Sequence, residues 1–317
     1  MRIQVFEPFS LGLRRMNNVL IRNFDLRKWL VVGFTVFLAG LIDFNRGGSG
    51  MNFRNDSINW QDKGWWDVWQ FPDMAWNWLM NNMIWFFLGA IIFILIIALG
   101  LVLLWLSSRG HFMFLYNVVE DKAEIGIPWK RFRFLGNSLF IFRTLVTLIA
   151  SFIFLIGFII EFIVLYNIYD SNGDTNGSFW LALGLGILVF LFLVLIFVCI
   201  EMFINDFLVQ IMYKSDVGAF EGVRRLITLV SNHLGSFILY TLLKFGLSIA
   251  VVFVVMIIGF LTCCIGFFIL AIPYISDVIL LPISYTFRCF SVEFLEQFGS
   301  EYKLFPPVVS ETGYNNF

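Results

Sequence analysis

Long apolar runs separated by short polar stretches dominate the chain. Met83 to Leu106, Ser138 to Tyr166, Phe179 to Ile204 and Ser236 to Phe260 each exceed the roughly 20 mostly apolar residues that a helix needs to cross a hydrocarbon layer. Two further runs are less regular. Trp29 to Ile42 is apolar but short, so it spans only with flanking residues or a thinned bilayer. Beyond Cys263-Cys264-Ile265-Gly266 the chain turns apolar again to about Phe290, with Pro273 and Pro282 inside. The pattern predicts an all-α integral membrane protein with six transmembrane helices. Ahead of them, Leu13, Met16, Leu20 and Phe24 alternate at helical spacing with Arg14, Arg15, Arg22 and Arg27. That predicts an amphipathic N-terminal interfacial helix over Leu11 to Lys28, lying on the cytoplasmic leaflet as a lead-in to the first span. The expected organisation is a cytoplasmic amphipathic segment over 1–28, a six-span membrane domain over 29–298 with an outer loop at 43–82, and a cytoplasmic tail over 299–317.

The distribution of charge gives the direction of the spans. The segment before the first span holds six basic residues, and the second and fourth loops hold five and three. The tail from Arg288 holds two, so sixteen fall on one side against three (Arg46, Arg54, Lys63) on the other. Basic residues collect on the cytoplasmic side, and an odd number of spans would break the alternation. Both termini are therefore expected in the cytoplasm. The opening residues show no cleavable signal, so the first span is expected to act as an uncleaved insertion signal.

Composition narrows the function classes. The chain is 317 residues, 60% hydrophobic and only 14% charged, whereas a soluble domain is about a quarter charged. A soluble globular enzyme, a disordered chain and a disulfide-rich secreted domain are excluded. The net charge of −1 offers nothing to attract nucleic acid. Cys199, Cys263, Cys264 and Cys289 sit in apolar runs without disulfide or zinc spacing, and His111 and His233 are too few for a histidine-based metal site. No metal, cofactor or catalytic residue is expected: H-E-x-x-H, G-x-S-x-G and phosphate-loop patterns are missing from the sequence. His111 is expected in a loop at the membrane edge.

Seven of the eleven tryptophans fall between Trp60 and Trp85, six of them in the outer loop. Indoles prefer headgroup depth, so two short interfacial helices, Gly64 to Phe71 and Asp73 to Asn82, are expected as an aromatic belt. A partner or glycan surface is the sharper alternative. Asn55-Asp56-Ser57 and Asn176-Gly177-Ser178 fit the glycosylation sequon on that side.

Ionisable residues inside spans are expensive and should face protein or water. Arg143 and Glu161 are eighteen residues apart on one helix face, five full turns. Arg143, Glu201, Lys244 and Asp277 all fall toward the inner half or the middle, where Arg143–Glu201 and Lys244–Asp277 pairs would fix helix register. The set Arg143, Glu161, Glu201, Lys244 and Asp277 is the candidate intramembrane polar site. Within it Glu161, in the outer half and without a basic partner, is the candidate for a proton-linked role, and Asp277 sits between two prolines where a helix ladder is interrupted. Leu135-Gly136-Asn137-Ser138-Leu139 and Leu234-Gly235-Ser236-Phe237 also look like starts of a repeated helix–loop–helix unit.

Three stretches carry a resemblance: Asn23-Phe24-Asp25-Leu26-Arg27-Lys28-Trp29-Leu30; Ser107-Ser108-Arg109-Gly110-His111-Phe112-Met113 with Pro128-Trp129 and Gly136-Asn137-Ser138; and Leu280-Leu281-Pro282 with Arg288 and Phe294-Leu295-Glu296-Gln297. Together they resemble an uncharacterised family of bacterial multi-pass membrane proteins, loosely similar to the membrane domain attached to some glycerophosphodiester phosphodiesterases. The resemblance implies a helical bundle in the cell inner (cytoplasmic) membrane and no activity, because the chain has no room for the phosphodiesterase barrel. Arg109, Trp129, Asn137 and Arg288 then form either a cytoplasmic cap that holds the loops or an anionic-lipid headgroup site. The expected function is a non-enzymatic membrane component that binds membrane lipids or other membrane proteins. The alternative is a small-solute or ion transporter built on the intramembrane charges; a lipid-modifying enzyme would lack a visible nucleophile or base.

Overall fold

The structure, a computed structural model, describes residues 4–42, 82–172, 177–262 and 265–306. Among the described residues every regular element is helical. Helix α1 covers Phe6–Met16 and continues as a π-helical turn over Asn17–Arg22. Asp25 breaks this run: its side chain accepts from the backbone N–H of Arg27 at 2.9 Å and caps α2, Leu26–Ala39. The amphipathic segment is thus two pieces, because an N-cap aspartate competes with a continuous helix. Then follow α3 (Met83–Val119), α4 (Gly126–Arg131), α5 (Arg133–Asn172) and α6 (Gly177–Phe203). A second π turn, Ile204–Leu208, leads into α7 (Val209–Ser215), α8 (Ala219–Asn232) and α9 (Leu234–Leu261). Three shorter elements close the chain: α10 (Ile265–Leu270), α11 (Ile275–Ile279) and α12 (Leu281–Glu296).

Among the described residues, four stretches are long and apolar enough to cross a membrane: Met83–Val119, Arg133–Ser171, Gly177–Ser215 and Leu234–Leu261. Their most apolar windows have mean hydropathies between 2.5 and 3.3 and are almost unburied. Water would punish such surface, whereas hydrocarbon does not, so the chain is embedded in a membrane. The other two expected spans take different forms. Helix α2 has 14 residues, about 21 Å at 1.5 Å per residue, short of the roughly 30 Å hydrocarbon thickness. The run to Phe290 is three helices rather than one. Its first break falls at Pro273-Tyr274, where Tyr274 adopts φ 69°, a conformation costly for a bulky residue. Tyr274 is held there by its hydroxyl donating to the Leu30 carbonyl at 3.1 Å and by edge contacts with Phe34 and Phe37. Pro282 opens α12 in the first turn, where its missing N–H costs nothing.

The chain divides into two compact units. The first comprises Met1–Ser49, Leu104–Arg143 and Val198–Phe317. Its centre is aromatic: Tyr240 is fully buried, with ring centroids 4.6 Å from Phe294, 4.8 Å from Phe290 and 4.9 Å from Phe207. Helix α1 packs along α12 and α2 against α11. Arg15 Nε donates to Glu293 Oε1 at 2.6 Å, and the Arg15 guanidinium lies over the Phe305 ring. Gln4 and Gln297 exchange reciprocal hydrogen bonds of 2.8 Å. The second unit comprises Gly50–Leu103 and Thr144–Phe197. Its helices expose large apolar side chains along their lengths, such as Phe93, Phe158 and Leu188. Of the outer loop, only Asn82 belongs to the described residues, with Trp85 just beyond it at the start of α3; the two expected interfacial helices, both sequon asparagines and the Cys263-Cys264 pair lie outside them.

Candidate functional site

The polar residues of the first unit gather into three sets. In the first, α5 brings Arg143 against Glu201 of α6, with Nη2 donating to Oε2 at 3.0 Å. Arg143 is 1% exposed. Its Nη1 donates to Ser107 Oγ at 3.2 Å, and that hydroxyl donates to the Ala39 carbonyl at 2.7 Å. One chain of polar contacts therefore ties α2, α3, α5 and α6 together. Breaking a buried pair by deleting one partner typically costs about 3–5 kcal/mol, because the other charge is left bare.

The second set corrects an expected pairing. Lys244 of α9 meets Asp206, not Asp277. Asp206 also accepts from the Tyr240 hydroxyl at 2.9 Å. The sequence reading missed Asp206 because it lies in the π turn over Ile204–Leu208, where 3.6-residue spacing no longer reports the face. A polar residue next to Asn205 at the end of an apolar run was the one available signal. Asp277 lies on α11 against α2.

The third set is the expected cytoplasmic cap, and the structure splits it. Arg109, Asn137 and Trp129 come together and are joined by Trp105. The Arg109 guanidinium sits 4.3 Å from the Trp105 ring and 4.7 Å from the Trp129 ring. Its Nη2 donates to Asn137 Oδ1 at 3.0 Å, an oxygen that also accepts from Trp105 Nε1 at 3.1 Å. Gly136 makes room: a Cβ there would lie 2.7 Å from Arg109 Cγ. Arg288 does not join. It donates to the Asn205 carbonyl at 2.6 Å and lies 3.3 Å from His111 Nδ1. His111 is buried within α3 rather than in a loop, because that helix runs on to Val119.

Arg109 differs from Arg143 and Lys244. A guanidinium has five N–H donors; here only Nη2 is bonded within the described residues, and Nε is buried without a partner. Two cation–π contacts return about 0.5–2 kcal/mol each, against an effective penalty of several kcal/mol for desolvating an ion. No carboxylate among the described residues pairs with it, and Arg133 acts on it as a neighbouring positive charge.

Glu161 stands apart in the second unit. Its carboxyl packs against Gly186 of α6, in space that any side chain there would fill. Its Oε1 is buried without a hydrogen bond among the described residues. The paired helix starts at Gly136 and Gly235 are both real, but nothing packs within 4 Å of the position a Cβ would take at Gly235. No group of three or more metal-ligating side chains forms among the described residues. A depression of about 260 Å³ between Phe203, Val230, Leu234, Phe237, Thr241 and Leu242 is almost wholly apolar.

Helices of this length and apolarity define an all-helical membrane protein. The chain belongs to a family of unknown function (DUF7544), which matches residues 6–304. No curated protein and no solved structure matches it, so the likeness to the phosphodiesterase membrane domain rests on the quoted motifs alone.

Proposed function

We propose that the chain is a non-enzymatic component of the cytoplasmic membrane that binds lipid or a partner protein, crossing six times with both termini cytoplasmic. One observation carries the reading. Arg143 and Lys244, two basic groups that a transport path would need free, are closed on Glu201 and Asp206. The apolar depression beside α9 agrees with a surface that takes acyl chains or another helix rather than a hydrated solute.

Extraction into lipid-preserving nanodiscs at native expression, followed by mass spectrometry, tests it. Enrichment of one lipid class or one stoichiometric protein over the surrounding membrane is expected. Bulk lipid composition with no associated protein removes the reading.

A second reading, a small-solute or ion transporter, is favoured by the unbonded Glu161 oxygen. It requires that Glu161→Gln or Asp277→Asn abolish a flux in proteoliposomes, and retained flux in both variants excludes a role for these groups.

A further inference from the structure

We propose that Arg109, set against Trp105 and Trp129, is a binding site for a phosphate-bearing anion, and that its resident ligand is the phosphodiester of an anionic phospholipid. This deepens the lipid-binding reading and rests on it.

The argument begins with what the guanidinium lacks. Arg109 is 7% exposed, yet within the described residues it holds one hydrogen bond and no carboxylate. Arg143 and Lys244 each close on a carboxylate, and the equally buried Arg288 donates to the Asn205 carbonyl. The single acceptor on Arg109, Asn137 Oδ1, is shared with Trp105 Nε1, so the cation is oriented but not neutralised. Two indoles set at 90° to one another lie against adjacent sides of the guanidinium. A guanidinium held in place with N–H donors left unbonded suits the tetrahedral oxygens of a phosphate, which arginine engages through two parallel donors.

Position points to a lipid. Arg109 lies 26 residues along α3 from Met83, about 39 Å at 1.5 Å per residue. That is some 9 Å past a roughly 30 Å hydrocarbon core, within the headgroup layer. Trp105 and Trp129 then lie where indoles anchor at an interface. Lys130 and Arg133 are exposed beside them, adding the charge that draws anionic headgroups to basic pockets between helices. Repulsion from Arg133 is relieved when an anion sits between the two.

The full-length protein in zwitterionic nanodiscs, doped with phosphatidylglycerol, would be examined by native mass spectrometry and thermal unfolding. One retained phosphatidylglycerol per chain is expected in the wild type. Arg109→Gln should lower retention at least tenfold, Arg109→Lys should fall between, and the exposed Arg133→Gln should lower it about threefold without touching the fold. Arg225→Gln, whose partner is Glu221 on its own helix, should leave retention unchanged. Inorganic phosphate at millimolar concentration separates the sources: failure to displace the lipid assigns a headgroup, and displacement assigns a phosphate site filled from solution. Equal retention in the wild type, Arg109→Lys and Arg133→Gln overturns the site even if Arg109→Gln does not fold. Lipid or partner enrichment that survives those variants leaves the general reading standing, whereas a wild type that retains neither removes both.

Discussion

Arg143 shows what a single side chain does here. It joins Glu201 and Ser107 while 1% exposed, so its replacement removes the cation paired with Glu201. Arg143→Met should destabilise the chain by about 3–5 kcal/mol, and Arg143→Met with Glu201→Leu should recover most of that, because removing both charges also removes both desolvation costs. Unfolding in a detergent series measures both; a double variant no better than the single one would show that the pair acts through more than charge. Glu296 makes a pH-dependent case outside the spans. Burial raises its carboxyl above the usual value near 4.5, against the opposing backbone N–H groups of Phe305 and Leu304, each 2.7 Å away. A carboxyl whose folded pKa is raised binds its proton more tightly in the native chain, so stability falls as pH rises through that value. Glu296→Gln keeps an acceptor for both N–H groups without the charge. Its Tm should match the wild type below about pH 4.5 and exceed it near neutral pH; a wild type that is the more stable at neutral pH would reverse the sign and the cause.

At the scale of elements, what the sequence made legible follows from what a hydropathy pattern can carry. The four long helices are plain because each presents an unbroken apolar run longer than a bilayer needs. The run from Ile265 to about Phe290 reads as one span because hydropathy averaged over about 19 residues merges α10, α11 and most of α12; Pro273 marks the break, but the φ of 69° at Tyr274 depends on Phe34 and Phe37, some 240 residues away. The resemblance, with shared sidedness, groups Arg109, Trp129, Asn137 and Arg288. Neither fixes which neighbours a side chain meets, so Arg288, far along the chain from the other three, is placed elsewhere. Asp206 was hidden by the π turn, and that turn makes its own prediction. A π turn holds one residue more than an α-helix of the same rise. Deleting Asn205 should restore α-helical phase and swing Asp206 about 100° around the axis, away from Lys244. The cost should approach that of Asp206→Asn, about 3–5 kcal/mol for a bared lysine. A deletion variant as stable as the wild type would mean that the turn does not place this carboxylate.

For the whole molecule, the count of crossings and the position of the chain ends are separable. Four crossings by α3, α5, α6–α7 and α9 would put everything before residue 83 and after residue 261 on the face opposite the segment between α3 and α5. Six would return both ends to that segment's face. Contacts within the first unit favour the second arrangement. Lys28 Nζ, in the first turn of α2, donates to Asp121 Oδ1 at 2.6 Å, just past the end of α3, a contact that the six-span arrangement accommodates. Arg15 with Glu293, and Gln4 with Gln297, bring the C-terminal helix to the same place. Helix α2, at 14 residues, is shorter than a full crossing, so the two arrangements differ most at this helix. Reporter fusions at both ends, and single cysteines introduced near residues 64, 123 and 174, distinguish the two. Both ends and position 123 should be shielded from an impermeant thiol reagent added outside, with positions 64 and 174 labelled. Ends labelled together with 64 and 174 would leave four crossings and would place the sixteen basic residues on both faces, against the charge bias that orients multi-span proteins.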